Sequence, residues 1–135
     1  MDINEKTSIF KSPTGQYRTK SLFLEQSYDN QENVYYTLKD HHQRNELGEI
    51  EYLSLHQLFL EHEDPLEYSF AETYLFSFDH WQTLCRCSWF KPFLDRWRFE
   101  LELKIRSEAL KRVLGESKTN GKNAFMATRY PAYGS

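Results

Sequence analysis

The sequence predicts a mainly α fold: a helix-turn-helix followed by a long oligomerisation helix, with a small β-hairpin or β-rich segment ahead of them. Three observations carry this. Apolar residues recur at helical spacing from Ser54 onward. Asp64-Pro65 and Ser77 mark two closely spaced helix starts. From Phe90 an apolar row continues through Leu94, Trp97, Leu101, Ile105, Ala109 and Val113 at steps of three or four.

The elements follow in chain order. Residues 1–15 are polar, contain Pro13 and Gly15, and read as a flexible arm. Residues 16–53 form a β-rich segment. Within it Tyr17–Gln26 and Val34–Leu38 flank Asp29-Asn30, the pattern of an antiparallel hairpin. Lys39–Gly48 reads as a loop and Glu49–Leu53 as a third short strand.

Residues 54–87 form the helix-turn-helix-like unit. Ser54 is placed to cap a helix with Leu55, Leu58, Phe59 and His62 on one face. Asp64 caps the next, Pro65 takes its first position, and Glu67 completes a capping box. Leu66, Phe70, Tyr74 and Leu75 are its apolar stripe, and Ser77 or Asp79 caps a helix over about Phe78–Arg86. Residues 88–117 are the long helix, capped by Ser88, with Pro92 tolerated in the first turn and Gly115 near its end. Residues 118–135 are a tail with a further helical turn or two over Asn123–Tyr130.

Composition narrows the function classes. The chain has 135 residues, three Trp, nine Tyr and ten Phe, enough aromatic area for a small core. A mean hydropathy of -0.77 argues against a membrane span, and no stretch of the sequence approaches the roughly 20 apolar residues one would need. The first 15 residues lack the apolar stretch of a signal peptide, which predicts a cytosolic protein. Net charge is -3. Yet between Arg86 and Lys118 nine Lys or Arg face five Asp or Glu, a local basic surplus of four.

No catalytic constellation is visible. P-loop, dinucleotide-binding and nucleophile-elbow motifs are absent, and five glycines leave little material for phosphate-cradling loops. Cys85 and Cys87 sit too close for an unstrained disulfide and read as reduced thiols. The five histidines lack metal-ligand spacing. Glu61, Glu63 and Asp64 read as capping and surface carboxylates. The reading is therefore of a non-enzyme with no cofactor and no metal.

In the helix-turn-helix reading, Phe78, Trp81, Leu84 and Cys85 face inward and His80, Gln82, Thr83 and Arg86 are left outside. Gln and Arg match base edges, Thr matches a base or a phosphate, and Lys91 lies where it meets a phosphate. The same spacing also fits an ordinary helical hairpin. The long helix reads either as a core helix within a monomer, which would need a large partner surface from a short chain, or, preferred, as packing against copies of itself through the row from Phe90 to Val113. Arg96/Glu100, Arg98/Glu102 and Glu108/Arg112 are spaced for surface or intersubunit ion pairs. Tyr17, Phe23, Tyr28, Tyr35 and Tyr36 are aromatics that stack on single-stranded nucleic acid if exposed. The preferred reading turns them inward.

One resemblance runs through residues 52–127. It is carried by Tyr52-Leu53-Ser54-Leu55, Leu60–Tyr68, His80-Trp81, Trp89-Phe90-Lys91-Pro92, Arg96-Trp97, Glu100–Ser107 and Gly121–Ala127. Together these resemble tailed-phage small terminase subunits. The resemblance implies double-stranded viral DNA and the large terminase subunit as partners, a ring-shaped homo-oligomer, and a place in the host cytoplasm. It also implies DNA contact around His80, Gln82, Thr83, Arg86 and Lys91. A second reading is an interaction adaptor whose long amphipathic helix docks a partner protein.

Overall fold

The computed structural model describes residues 2–27 and 33–119. Among them are five α-helices and a three-stranded sheet. The order is α1 (Ile3–Phe10), a 3-10 turn (Lys20–Leu22), β1 (Tyr36–Thr37), β2 (Gln43–Arg44), β3 (Glu51–Ser54), α2 (Leu55–His62), α3 (Tyr68–Tyr74), α4 (Phe78–Cys85) and α5 (Lys91–Thr119). The chain is mainly α, with a small sheet and a long C-terminal helix.

The N-terminal arm is the first correction. Asp2 accepts the Glu5 N–H at 2.8 Å and nucleates α1. Phe10 at the other end of the helix is buried. Lys6 Nζ donates to the Glu72 carbonyl at 2.7 Å, tying α1 to α3. Gly15, at φ 85°, turns the chain so that Lys11 pairs with Tyr17 across a single antiparallel bridge.

The expected hairpin of Tyr17–Gln26 with Val34–Leu38 does not form. Phe23 meets Tyr36 only in an isolated parallel bridge, and β1 pairs in parallel with β3, Tyr36 opposite Leu53. The antiparallel hairpin lies downstream, in the segment expected to be a loop. There β2 pairs with β3, Gln43 opposite Tyr52, and the sheet order is β1-β3-β2. Its turn is built by Asn45, whose Oδ1 accepts the Glu49 and Ile50 N–H groups at 2.9 and 3.2 Å, and by Gly48 at φ 71°.

Ser54 caps α2 as expected, accepting the Gln57 N–H at 3.0 Å. α3 begins later than the sequence predicts, at Tyr68 rather than Pro65. Asp64 serves the loop before it, its two carboxylate oxygens accepting from Leu66 and Phe70 N–H. Leu66 is 82% exposed and leaves the apolar stripe, while Phe70, Ala71 and Leu75 stay buried. Glu67 adopts φ 69° and turns its side chain inward instead of closing a capping box. It accepts two hydrogen bonds from Arg98, each 2.7 Å, and one from Trp81 Nε1 at 2.9 Å. This takes Arg98 away from its expected partner Glu102, which pairs with Arg106 at 2.8 Å instead.

The core is aromatic. Trp81 and Phe70 meet edge to face at 5.1 Å, and Phe90 meets Trp97 the same way at 5.3 Å. α5 starts at Lys91, three residues after Ser88, because residues 88–90 form a turn closed by Phe90 N–H to the Cys87 carbonyl at 3.1 Å. Pro92 occupies the first helical turn, where its missing N–H breaks no helical bond. Gly115 does not end the helix, which continues to Thr119. The expected turns over Asn123–Tyr130, and most of the 118–135 tail, lie outside the described residues.

Candidate nucleic-acid interface

α4 is set by its cap and by two inward apolar side chains. Ser77 accepts the His80 N–H at 3.3 Å. Trp81 and Leu84 then fall into the core, one turn apart. The opposite side of the helix carries Gln82 and Arg86, both exposed, and Thr83, which is half-buried. Thr83 donates to the Asp79 carbonyl at 3.0 Å and accepts from Arg86 Nη2 at 3.4 Å. Lys91 is exposed at the first turn of α5. Among the described residues neither Arg86 nor Lys91 has a carboxylate partner. The turn between α4 and α5 therefore holds two cations beside a hydrogen-bonding amide.

His80 is a correction to the expected contact set. It is 0% exposed. The Phe76 N–H donates to its Nδ1 at 3.2 Å, so the proton sits on Nε2, which donates to the Arg18 carbonyl at 2.7 Å. Tyr17 stacks on the ring at 4.9 Å. Burial holds the imidazole below its ordinary 6.5, and the nearby Arg18 cation acts in the same direction. A neutral, enclosed ring with both nitrogens engaged ties the N-terminal segment to α4 and has no access to DNA. Spacing on α4 alone leaves it outside, because Tyr17 and Arg18, which cover it, are read as the start of a strand and not as a partner of α4.

The expected assembly row divides. Phe90, Leu94, Trp97 and Leu101 are buried against the rest of the same chain and are not an assembly surface. Ile105 is half-buried at the edge of that core, Ala109 is half-buried, and Val113 is 43% exposed. From Glu102 to Gly115 no residue is buried. The physical reason is the step size. Four-residue steps at 100° per residue each turn the row by about 40°, so Val113 points about 120° away from Leu101. A row that is continuous in sequence thus faces the core first and solvent later.

Sequence reasoning missed two residues that hold the site in place. Glu67 bridges α4 and α5 through Trp81 and Arg98, and a bidentate Arg–carboxylate pair inside a helical unit has no sequence spacing to betray it. His56 is buried, stacks on Trp97 at 5.2 Å, and lies 3.0 Å from Glu100 Oε2. Cys85 and Cys87 are free, and burial pushes the Cys85 thiol up to about 12. Among the described residues no group of three or more His, Cys, Asp or Glu lies together as a metal cage. No helix among them is long and apolar enough to cross a membrane.

No protein-family model matches this chain, and no curated protein or solved structure matches it.

Proposed function

We propose that this protein is a non-enzymatic DNA-packaging subunit of the small-terminase kind. It binds double-stranded viral DNA, assembles with copies of itself, and presents that DNA to a large terminase subunit. The observation that carries the reading is α5. The helix is 29 residues long, about 43 Å at 1.5 Å per residue. It begins inside the core and leaves it after Leu101. An isolated projecting helix of this kind is marginal in water unless its face is covered. Of the row's later members Val113 is exposed and Ala109 half-buried, with Leu103 exposed beside them, and a second copy supplies the same positions.

DNA contact belongs to Gln82, Thr83, Arg86 and Lys91. Arg86 and Lys91 supply phosphate contacts that position the subunit, and Gln82 supplies base-edge readout. α3 and α4, joined by Leu75–Ser77, are the helical pair in this proposal, with α4 as the reading helix. Each subunit binds weakly, and linked copies raise the effective affinity without new contacts.

The test is a gel-shift series with duplex DNA at several salt concentrations, comparing the native chain with Arg86→Ala/Lys91→Ala. Loss of both cations is expected to weaken binding and to reduce the salt slope by about 1.8. Unchanged binding and slope would remove these residues from the interface. Absence of DNA binding even at low salt would favour the adaptor reading, in which α5 docks a different protein.

A further inference from the structure

α5 is apolar on two sides. One side is the core row, in which Phe90, Leu94, Trp97 and Leu101 are buried by the same chain. The other side carries Phe99, 60% exposed, Leu103, 48% exposed, and the half-buried Leu110 and Leu114. At about 100° per residue these four fall within about 60° of one another, on the side of the helix roughly opposite Leu101. Val113, 43% exposed, flanks them. A helix that faces only its own core has a polar back. Here the back holds an aromatic ring and three leucines, a row that a second protein surface can cover.

The spacing of this back row says which surface. Its steps are four, seven and four residues, so it reads the same from either end, about a point between Arg106 and Ser107. A face that meets its own copy across a two-fold axis is self-complementary in this way. Laid antiparallel on a second copy, Phe99 faces Leu114 of that copy and Leu103 faces its Leu110. The apolar layers then span about 22 Å of helix.

Charge decides the direction. Glu100 and Lys111 lie on one flank of the row, Glu102 and Arg106 on the other. A parallel pair sets Glu100 of one copy level with Glu102 of the other, like against like. An antiparallel pair brings Glu100 to within roughly 3 Å, along the axis, of Lys111 of the second copy. The Glu100 carboxylate, already on His56 and Arg96 in its own chain, has lone pairs for a further cation. The two Arg106 side chains come together beside the two-fold axis, and each is neutralised by its own Glu102 at 2.8 Å.

We propose that α5 docks through this back row on α5 of a second copy, antiparallel and two-fold symmetric, with Phe99 against Leu114 and Leu103 against Leu110. The seam rests on the reading of α5 as an assembly helix, to which it adds a face, a direction and a register.

The test uses the full chain with Cys85→Ser/Cys87→Ser, checked by circular dichroism, as the background for single cysteines. Leu103→Cys and Leu110→Cys chains are oxidised separately and as a mixture, and the linked peptides are read by mass spectrometry. The disulfide between positions 103 and 110 is expected to exceed either self-linked species about tenfold or more, because the register sets like positions about 10 Å apart along the axis. Self-linked position 103 as the main product would overturn the direction. A chain that sediments as an oligomer yet forms neither link would overturn the seam. Phe99→Glu/Leu103→Glu, at two exposed positions with the native cysteines kept, is the second variant. Sedimentation equilibrium should show its self-association weakened about tenfold or more. Equal association in this variant and the native chain overturns the seam and leaves assembly itself standing. A native chain that stays monomeric at every concentration overturns both.

Discussion

His80 shows how a single residue changes meaning once its surroundings are known. On α4 alone it is a polar residue beside Gln82 and Thr83. In the fold it accepts from Phe76 N–H and donates to the Arg18 carbonyl, so a second proton would set Nδ1–H against Phe76 N–H. Its folded pKa lies below 6.5. In the unfolded chain the ring takes up a proton as pH falls through about 6.5, while the folded chain resists until lower pH. Stability is therefore full above about 6.5 and declines as pH falls toward the depressed folded value. Chemical-denaturation midpoints measured from pH 7.5 to 5 should show this decline, and His80→Gln should flatten it; an equal slope in both proteins would contradict the assignment.

Glu67 makes a second residue-scale prediction. Its carboxylate joins Trp81 Nε1 to the Arg98 guanidinium. Arg98 is about half exposed, so solvent screens part of the pair's worth. Glu67→Ala leaves the buried Trp81 N–H unpaired and should cost about 2 kcal/mol in urea unfolding. A loss below a few tenths of a kcal/mol would mean that water replaces the carboxylate freely.

At the scale of elements, the helices were largely legible. Ser54 and Ser77 announce α2 and α4, and their caps form as the residue types dictate. The strands were less so. The apolar run Tyr17–Gln26 looks like a strand, yet Leu22 and Phe23 reach the core from a 3-10 turn and the residue after it. The true hairpin hides in a polar stretch, where Asn45 and Gly48 set the turn and only two residues of β2 pair. Strands this short carry too little alternation to be read. α1 was missed because polar composition outweighed the Asp2–Glu5 cap.

α5 carries the element-scale prediction. Its first part, to Leu101, is core, whereas no residue from Glu102 to Gly115 is buried, so the two should respond differently to substitution. Ala109→Glu/Val113→Glu should leave the melting temperature of the dilute monomer unchanged within about 2 °C. It should weaken self-association measured by sedimentation equilibrium. Leu101→Ala, by contrast, should destabilise the fold by about 2–4 kcal/mol. Equal association in the native chain and the double variant would place the assembly surface elsewhere.

For the whole molecule, a small aromatic body anchors one end of a helix that outruns it. The cations at the α4–α5 turn, Arg86 and Lys91, belong to the body end of that helix, and the open apolar positions belong to the far end. In the proposed function, DNA contact and assembly therefore sit at opposite ends of one helix. The candidate site was legible in part. Gln82, Arg86 and Lys91 are exposed as spacing predicts, because helical periodicity reports which side of a helix faces solvent. His80 and the first four members of the assembly row were misplaced, because periodicity does not say whether an apolar face meets its own chain or another copy. Native mass spectrometry of the purified chain at micromolar concentration, with and without duplex DNA, decides whether the chain assembles on DNA. A closed oligomer of defined subunit number that retains duplex is expected; a strict monomer that releases DNA at every concentration would overturn the proposed function.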